Sequence, residues 1–419
     1  MSGSSTSIRK LGVIGLGYIG LPTAALFASR GIAVAGFDVA PGVVETVNRG
    51  GVHIVEPGLD IAVRSAVASG LLRASTKLEP CDAFIIAVPT PFRDGHTPDL
   101  AFIDAATQAL APVLGEGNLV ILESTAPVGT TRAMAAQLQR LRPDLRFPVP
   151  GESAENVFVA HCPERVLPGN VMRELIQNAR VVGGLSARST EHAIALYSYL
   201  IEGECISTDA ETAELVKLAE NAFRDVNIAF ANELSLICRR LDLNVWDVVR
   251  LANRHPRVNI LRPGPGVGGH CIAVDPWFLV HSAPEDARLI RTAREVNDGK
   301  PRVVLDEIRA FAKRHASPVI ACLGLAFTPD IDDLRESPAL AIVGELARSD
   351  IGRLLVVEPN IDTLPAPLAQ SANVALTNAD EAVATADIVV FLVNHRAFSA
   401  IRPDQLKGKL VINACGWRQ

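Results

Sequence analysis

The sequence predicts an α/β protein with two parallel-sheet domains joined by a long central helix and a helical middle domain. Three observations carry that expectation. Short apolar runs alternate with helix-like stretches at both ends of the chain, a glycine-punctuated turn follows the first run, and the centre holds a long stretch without Gly or Pro. At 419 residues the chain has room for two or three domains, each able to bury its own core.

The first apolar run is Leu11 to Ile14, followed by Gly15-Leu16-Gly17-Tyr18-Ile19-Gly20 and a helical stretch from Leu21 to Arg30 closed by Gly31. The order is strand, glycine turn, helix. A second run, Ile32 to Phe37, ends in Asp38, and runs at Ala83 to Val88 and Leu119 to Leu122 come after further helix-like segments. Strands of this kind belong to a parallel sheet covered on both faces. From Ala210 to about Leu241, Leu215, Leu218, Ala222, Ala229, Leu236 and Ile237 recur at helical spacing. That predicts one helix roughly 45 Å long, more than a small domain needs, and so a joint between domains and a contributor to a homodimer interface.

The last third repeats the first in style, with runs at Val319 to Leu325, Leu354 to Val357, Ile388 to Val393 and Leu410 to Ile412. Part of the echo is literal: Cys81-Asp82-Ala83 precedes one run and Ala386-Asp387 another. Gly324-Leu325-Ala326 lacks a third glycine at the right place, so this second sheet is expected to bind a different nucleotide. The expected domains are 1–206, 207–302 and 303–419.

Acidic residues number 46 against 40 basic ones, a net charge of -6. No basic field exists to neutralise a nucleic-acid backbone, although backbone amides can still hold the phosphates of a small nucleotide. No apolar run reaches membrane-spanning length, and Met1 to Lys10 lacks the apolar core of a secretion signal, which predicts a cytoplasmic protein with no membrane partner. The seven cysteines show no paired spacing, which argues against a disulfide framework or a zinc ribbon, and no metal site is expected.

The glycine turn gains specificity from its context. It follows a strand, opens a helix, and is followed eighteen positions after Gly20 by Asp38. Gly15 permits the tight turn, Gly17 lets backbone approach a pyrophosphate, and Gly20 lets helix pack on strand. Asp38 would accept hydrogen bonds from a ribose, and Val39 and Ala40 supply no cation for a 2′-phosphate, so NAD is favoured over NADP. Lys217 and Asn221 are four apart on the central helix and share a face. Cys271 ends a loop with four glycines in the six positions Gly264 to Gly269, and Asp275 follows it. A thiol delivered beside backbone that can approach a ligand closely is a candidate nucleophile, whereas the other six cysteines read as core filler. His270 reads as structural, because adjacent side chains in extended backbone point opposite ways. Glu123-Ser124-Thr125 lies at the carboxyl edge of a predicted strand, where α/β sheets bind ligands, and Cys162-Pro163-Glu164-Arg165 lies in a predicted loop.

Together these residues resemble the UDP-glucose/GDP-mannose dehydrogenase family from about Leu11 to Trp417. The likeness is specific at the glycine turn, at Glu123 to Thr131, at Cys162 to Arg165, at Lys217 with Asn221, and at the Cys271 loop with Asp275. His255 to Leu261, leading into Pro263-Gly264-Pro265-Gly266, and Asp332 to Ser337 resemble most the branch that oxidises UDP-N-acetyl-D-mannosamine at C6. The resemblance implies two Rossmann-like domains and a four-electron oxidation that reduces two NAD per sugar. It implies that Cys271 holds the intermediate, that Lys217 and Asn221 stabilise an oxyanion, and that Glu164, Asp275 and Thr125 position water. It further implies cofactor contacts at Tyr18, Ile19, Thr90, Thr125 and Arg335, and substrate contacts at Glu164, Arg165, Lys217, Asn221, Gly268 and, across a dimer interface, Arg257. Thr328 departs from the lysine many relatives carry there. The same reaction on UDP-N-acetylglucosamine or UDP-glucose is the alternative, and a two-electron 3-hydroxyacid dehydrogenase a more distant one.

Overall fold

A computed structural model describes residues 8–149, 154–167, 169–269, 271–349 and 351–418. The described chain divides into two compact units, one ending at Ala219 and the other beginning at Glu220. The division falls inside a single helix, Ala210–Arg240.

Among the described residues of the first unit, eight strands form one sheet. Their order is Cys205–Asp209, Arg180–Gly184, Phe158–His161, Leu119–Leu122, Ala83–Ile86, Lys10–Ile14, Ala33–Phe37, Leu72–Ser75. The central strands are parallel and buried on both faces, which is why they read as continuous apolar runs. Alternate side chains enter opposite cores: Ala83 and Ile85 join Leu11, Val13 and Phe27, while Phe84 and Ile86 join Ile14, Val120 and Leu138. Phe158–His161 meets Arg180–Gly184 antiparallel, so the sheet is parallel except at one edge. The register aligns Ile14 with Phe37 and Ile86, Ile86 with Leu122, and Leu122 with His161. Gly15, Asp38, Glu123 and Cys162 therefore emerge side by side along one rim. Cys162 follows strand Phe158–His161 directly and opens the loop expected for Cys162 to Arg165.

The second unit contains a five-stranded parallel sheet in the order Val374–Leu376, Arg353–Val357, Val319–Leu323, Ile388–Phe391, Leu410–Asn413. Helices Arg288–Ala312 and Pro338–Arg348 cover one face, packing Ile308, Ile342 and Leu346 on Ile320 and Val356. The internal echo read from the sequence is structural. Asp82 accepts the Arg9 and Lys10 amides at 2.8 and 2.9 Å, and Asp387 accepts the Val319 amide at 2.9 Å, each stitching the start of a first strand.

Candidate active site

The glycine turn has the geometry its chemistry requires. Gly15 adopts φ +91°, where an L side chain is strained, and a Cβ on Gly20 would lie 1.8 Å from the Gly15 carbonyl oxygen. A Cβ on Gly17, by contrast, would meet no atom within 4 Å. The first and third glycines serve the fold, and the second leaves open the space above the amino end of helix Gly20–Ser29, where helix amides favour an anion. Asp38 accepts the Leu16 amide at 3.0 Å and the Ala40 amide at 2.9 Å while remaining half-exposed, able to take ribose hydroxyls as well. Val39, highly exposed, brings no cation. Tyr18, Ile19 and Thr90 are half-buried on the turn and on the loop after Ala83–Ile86. Ser124 ties that loop to the next strand end by donating to the Val88 carbonyl at 2.7 Å. These residues fit a dinucleotide.

Farther along the rim, Thr125 is half-buried and Glu164 is buried, its Oε2 accepting the Val166 amide at 2.7 Å. Arg165 donates to the Ala179 carbonyl at 3.1 Å. Beneath them lies a polar cluster that sequence reasoning missed. Arg180 pairs with Glu123 at 2.8 Å, lies with its guanidinium 4.8 Å from the Tyr197 ring centre, and approaches the Cys162 sulfur at 3.8 Å. Burial pushes Glu123 above the usual carboxylate range, with Arg180 opposing. Lys217 is buried on the long helix. One turn before it, Glu214 accepts the Gly129 amide at 2.6 Å and the Thr131 amide and hydroxyl at 2.7 and 2.6 Å, clamping the helix start to the turn after Val128.

In the second unit, Asn221 donates to Asp275 Oδ2 at 2.5 Å. Asp275 is buried at the start of helix Asp275–Ser282, and its amide donates at 2.8 Å to the carbonyl of half-buried Cys271. The thiol-bearing residue thus forms the turn that opens this helix. Farther down the long helix, Asn232 accepts the Gly264 amide at 2.8 Å and donates to Asn297 at 2.9 Å, while Asp225 pairs with fully buried Arg294 at 2.6 Å. This ladder anchors the beginning of the glycine loop. Arg257 is exposed, and Arg335 is exposed and paired with Asp333 at 2.6 Å. His270 lies outside the described residues. Four other thiols are unsuited to nucleophilic work: burial raises Cys81 and Cys162 to about 11 and Cys322 and Cys415 to about 12.

Comparison with known proteins supplies the deciding observation. Models of the NAD binding, central and UDP binding domains of one family match residues 9–201, 211–299 and 321–416 in turn. The chain belongs to the UDP-glucose/GDP-mannose dehydrogenase family. It is an NAD-binding nucleotide-sugar dehydrogenase, which sets aside the 3-hydroxyacid alternative. A Ralstonia nicotianae protein called NDP-N-acetyl-D-galactosaminuronic acid dehydrogenase is 57% identical over 97% of this chain and 96% of its own length. A Campylobacter jejuni protein called UDP-N-acetyl-D-mannosamine dehydrogenase is 57% identical over 95% of this chain and 98% of its own. The solved UDP-D-ManNAc dehydrogenase of Pyrococcus horikoshii superimposes with a TM-score of 0.86 at 37% identity, covering 97% of this chain and 95% of that one. Among the described residues, no helix of this dehydrogenase is long and apolar enough to cross a membrane.

Proposed function

We propose that this dehydrogenase oxidises UDP-N-acetyl-D-mannosamine at C6 to UDP-N-acetyl-D-mannosaminuronate through covalent bonds to Cys271. The observation that carries the reading is the grouping of Cys271, Asp275 and Asn221, with Asp275 held by the Asn221 amide and by the turn that Cys271 begins. NAD, where bound, supplies the hydride acceptor for each oxidation. When the primary alcohol has become an aldehyde, the Cys271 thiolate forms a carbon–sulfur bond, the carbonyl π pair moves to oxygen, and Lys217 and Asn221 hold that oxyanion. The thiohemiacetal carbon gives up a second hydride and becomes a thioester. Water placed by Glu164, Asp275 and Thr125 then displaces the thiol and leaves a carboxylate. Covalent capture keeps the aldehyde from escaping while the reduced cofactor is exchanged.

Arg165 and Gly268 would contact the sugar nucleotide, and Arg335 the cofactor pyrophosphate. Arg257 would reach the site of a second copy in a homodimer built on the long helix, where Phe223, Phe230 and Ile237 stand seven residues apart with exposures of 72%, 57% and 48%. The functional division is 1–206 for NAD, 207–302 for the middle and 303–419 for the uridine nucleotide.

The names of the Ralstonia and Campylobacter relatives share an N-acetylated hexosamine and differ in the sugar epimer. Release of NADH is therefore measured with UDP-N-acetylmannosamine beside UDP-N-acetylgalactosamine, UDP-N-acetylglucosamine and UDP-glucose. The manno substrate is expected to give the highest kcat/KM and two NADH per sugar. Cys271→Ala should abolish sugar-acid formation, and wild-type turnover in that variant would end the covalent reading.

A further inference from the structure

The second sheet repeats the acid of the first and then seals it. Gly15 and Gly324, with φ of +91° and +100°, turn at equivalent strand ends, and each is followed by a leucine whose amide donates to an acid after the neighbouring strand. Asp38 accepts Leu16 at 3.0 Å, and Glu358 accepts Leu325 at 2.7 Å. The residue two past each acid also donates to it, Ala40 at 2.9 Å and Asn360 at 3.2 Å. Asp38 is half-exposed, but Glu358 is buried under His395, whose Nε2 lies 3.0 Å from Glu358 Oε2. His395 Nδ1 accepts the Asp330 amide at 2.9 Å, so Nε2 carries the ring proton and donates it to Glu358. The acid that matches Asp38 in position is thus held in a clasp.

What the clasp holds is the loop from Ala326 to Ser337. Asp330, at φ +63°, is fixed by His395 and by the Arg396 amide, which donates to its carboxylate at 2.8 Å. Phe327 donates its amide to the Asp333 carbonyl at 3.1 Å. The Cys271 loop lies flush against this loop. The Gly269 amide donates to the Arg335 carbonyl at 3.2 Å, a Cβ on Gly268 would lie 2.7 Å from Phe327 Cβ, and one on Gly269 would lie 3.0 Å from the Phe327 ring. Cys271 follows two residues later.

We infer that His395 and Glu358 are positioning residues for the Cys271 thiol, acting through Asp330 and the face of Phe327 on Gly268 and Gly269. The inference rests on the covalent role of Cys271 and adds that the uridine-nucleotide domain sets where that sulfur stands. Misplacing it slows carbon–sulfur bond formation, by about a hundredfold for a displacement of about 1 Å. The first oxidation does not use the thiol and continues.

The test measures NADH released per sugar consumed, with an aminooxy probe to trap free aldehyde, for wild type, His395→Ala, Phe327→Ala, Phe327→Tyr and Cys271→Ala, with UDP affinity and melting temperature recorded alongside. His395→Ala and Phe327→Ala should fall from two NADH toward one and release trappable aldehyde, while Phe327→Tyr, which keeps the ring face, stays near two. If His395→Ala does not fold, the two Phe327 variants carry the test, because that side chain is only half-buried. A ratio of two with no aldehyde in Phe327→Ala, or a uniform slowing of both oxidations, overturns the inference. Two NADH per sugar in Cys271→Ala overturns the covalent reading instead.

Discussion

Gly17 and Gly20 are three positions apart and face opposite physical demands. Alanine at 20 would place a methyl group 1.8 Å from the Gly15 carbonyl oxygen, whereas alanine at 17 would meet nothing of the chain within 4 Å. Gly20→Ala should therefore lower stability by about 1–3 kcal/mol through forced displacement of strand and helix, visible as a lower denaturation midpoint. Gly17→Ala should melt like the wild type and lose NAD affinity, because its methyl occupies the space a pyrophosphate needs. Isothermal titration beside thermal melting separates the two, and equal effects on both quantities would contradict these roles. The turn was legible in the sequence because its chemistry is local: strand, glycines and Asp38 sit within thirty residues. Asn221 and Asp275 were both legible by resemblance, but the bond between them, 54 residues apart, was not.

Long helices carry three of the second unit's buried charges, Asp225, Arg294 and Lys300. On helix Arg288–Ala312, Lys300 is buried and donates to Ser235 at 2.6 Å, and burial, with Arg239 nearby, pushes its pKa from 10.5 down to about 8. The folded state thus holds the proton less tightly than the unfolded chain. Below about pH 8 both states are protonated and the penalty is complete. It is relieved as pH rises from about 8 toward 10.5, where the unfolded state binds more protons and stability increases. Lys300→Met should raise the chemical denaturation midpoint at pH 7 and flatten its rise between pH 8 and 10; a parallel rise in both proteins would show that another group is responsible. Strands such as Cys205–Asp209 escaped sequence reasoning for a related reason. Its burial pattern is that of a mostly exposed edge, so no apolar run marks it. The clusters of Glu123 with Arg180 and Tyr197 are invisible in sequence because their members lie on separate elements 57 and 74 residues apart.

For the molecule as a whole, the heptad-spaced Phe223, Phe230 and Ile237 put a large apolar stripe on one helix. If the proposed homodimer forms on this stripe, Phe230→Glu should convert it to a monomer in sedimentation velocity. If Arg257 serves a second copy's site, the same variant should lose turnover while keeping NAD affinity. A monomeric variant with full turnover would show that each chain suffices alone. The two parallel sheets were readable because apolar runs recur at both ends of the sequence. The substrate epimer was not, since it depends on pocket shape that no short segment encodes.

The imidazole capping Glu358 has a bearing on how the two sheets avoid competing for one ligand. Their strand ends set an acid at matching positions, Asp38 half-exposed and Glu358 buried. One histidine ring stoppers the second carboxylate, and with no third glycine after Gly324 that strand end presents neither the open acid nor the glycine pattern of the first.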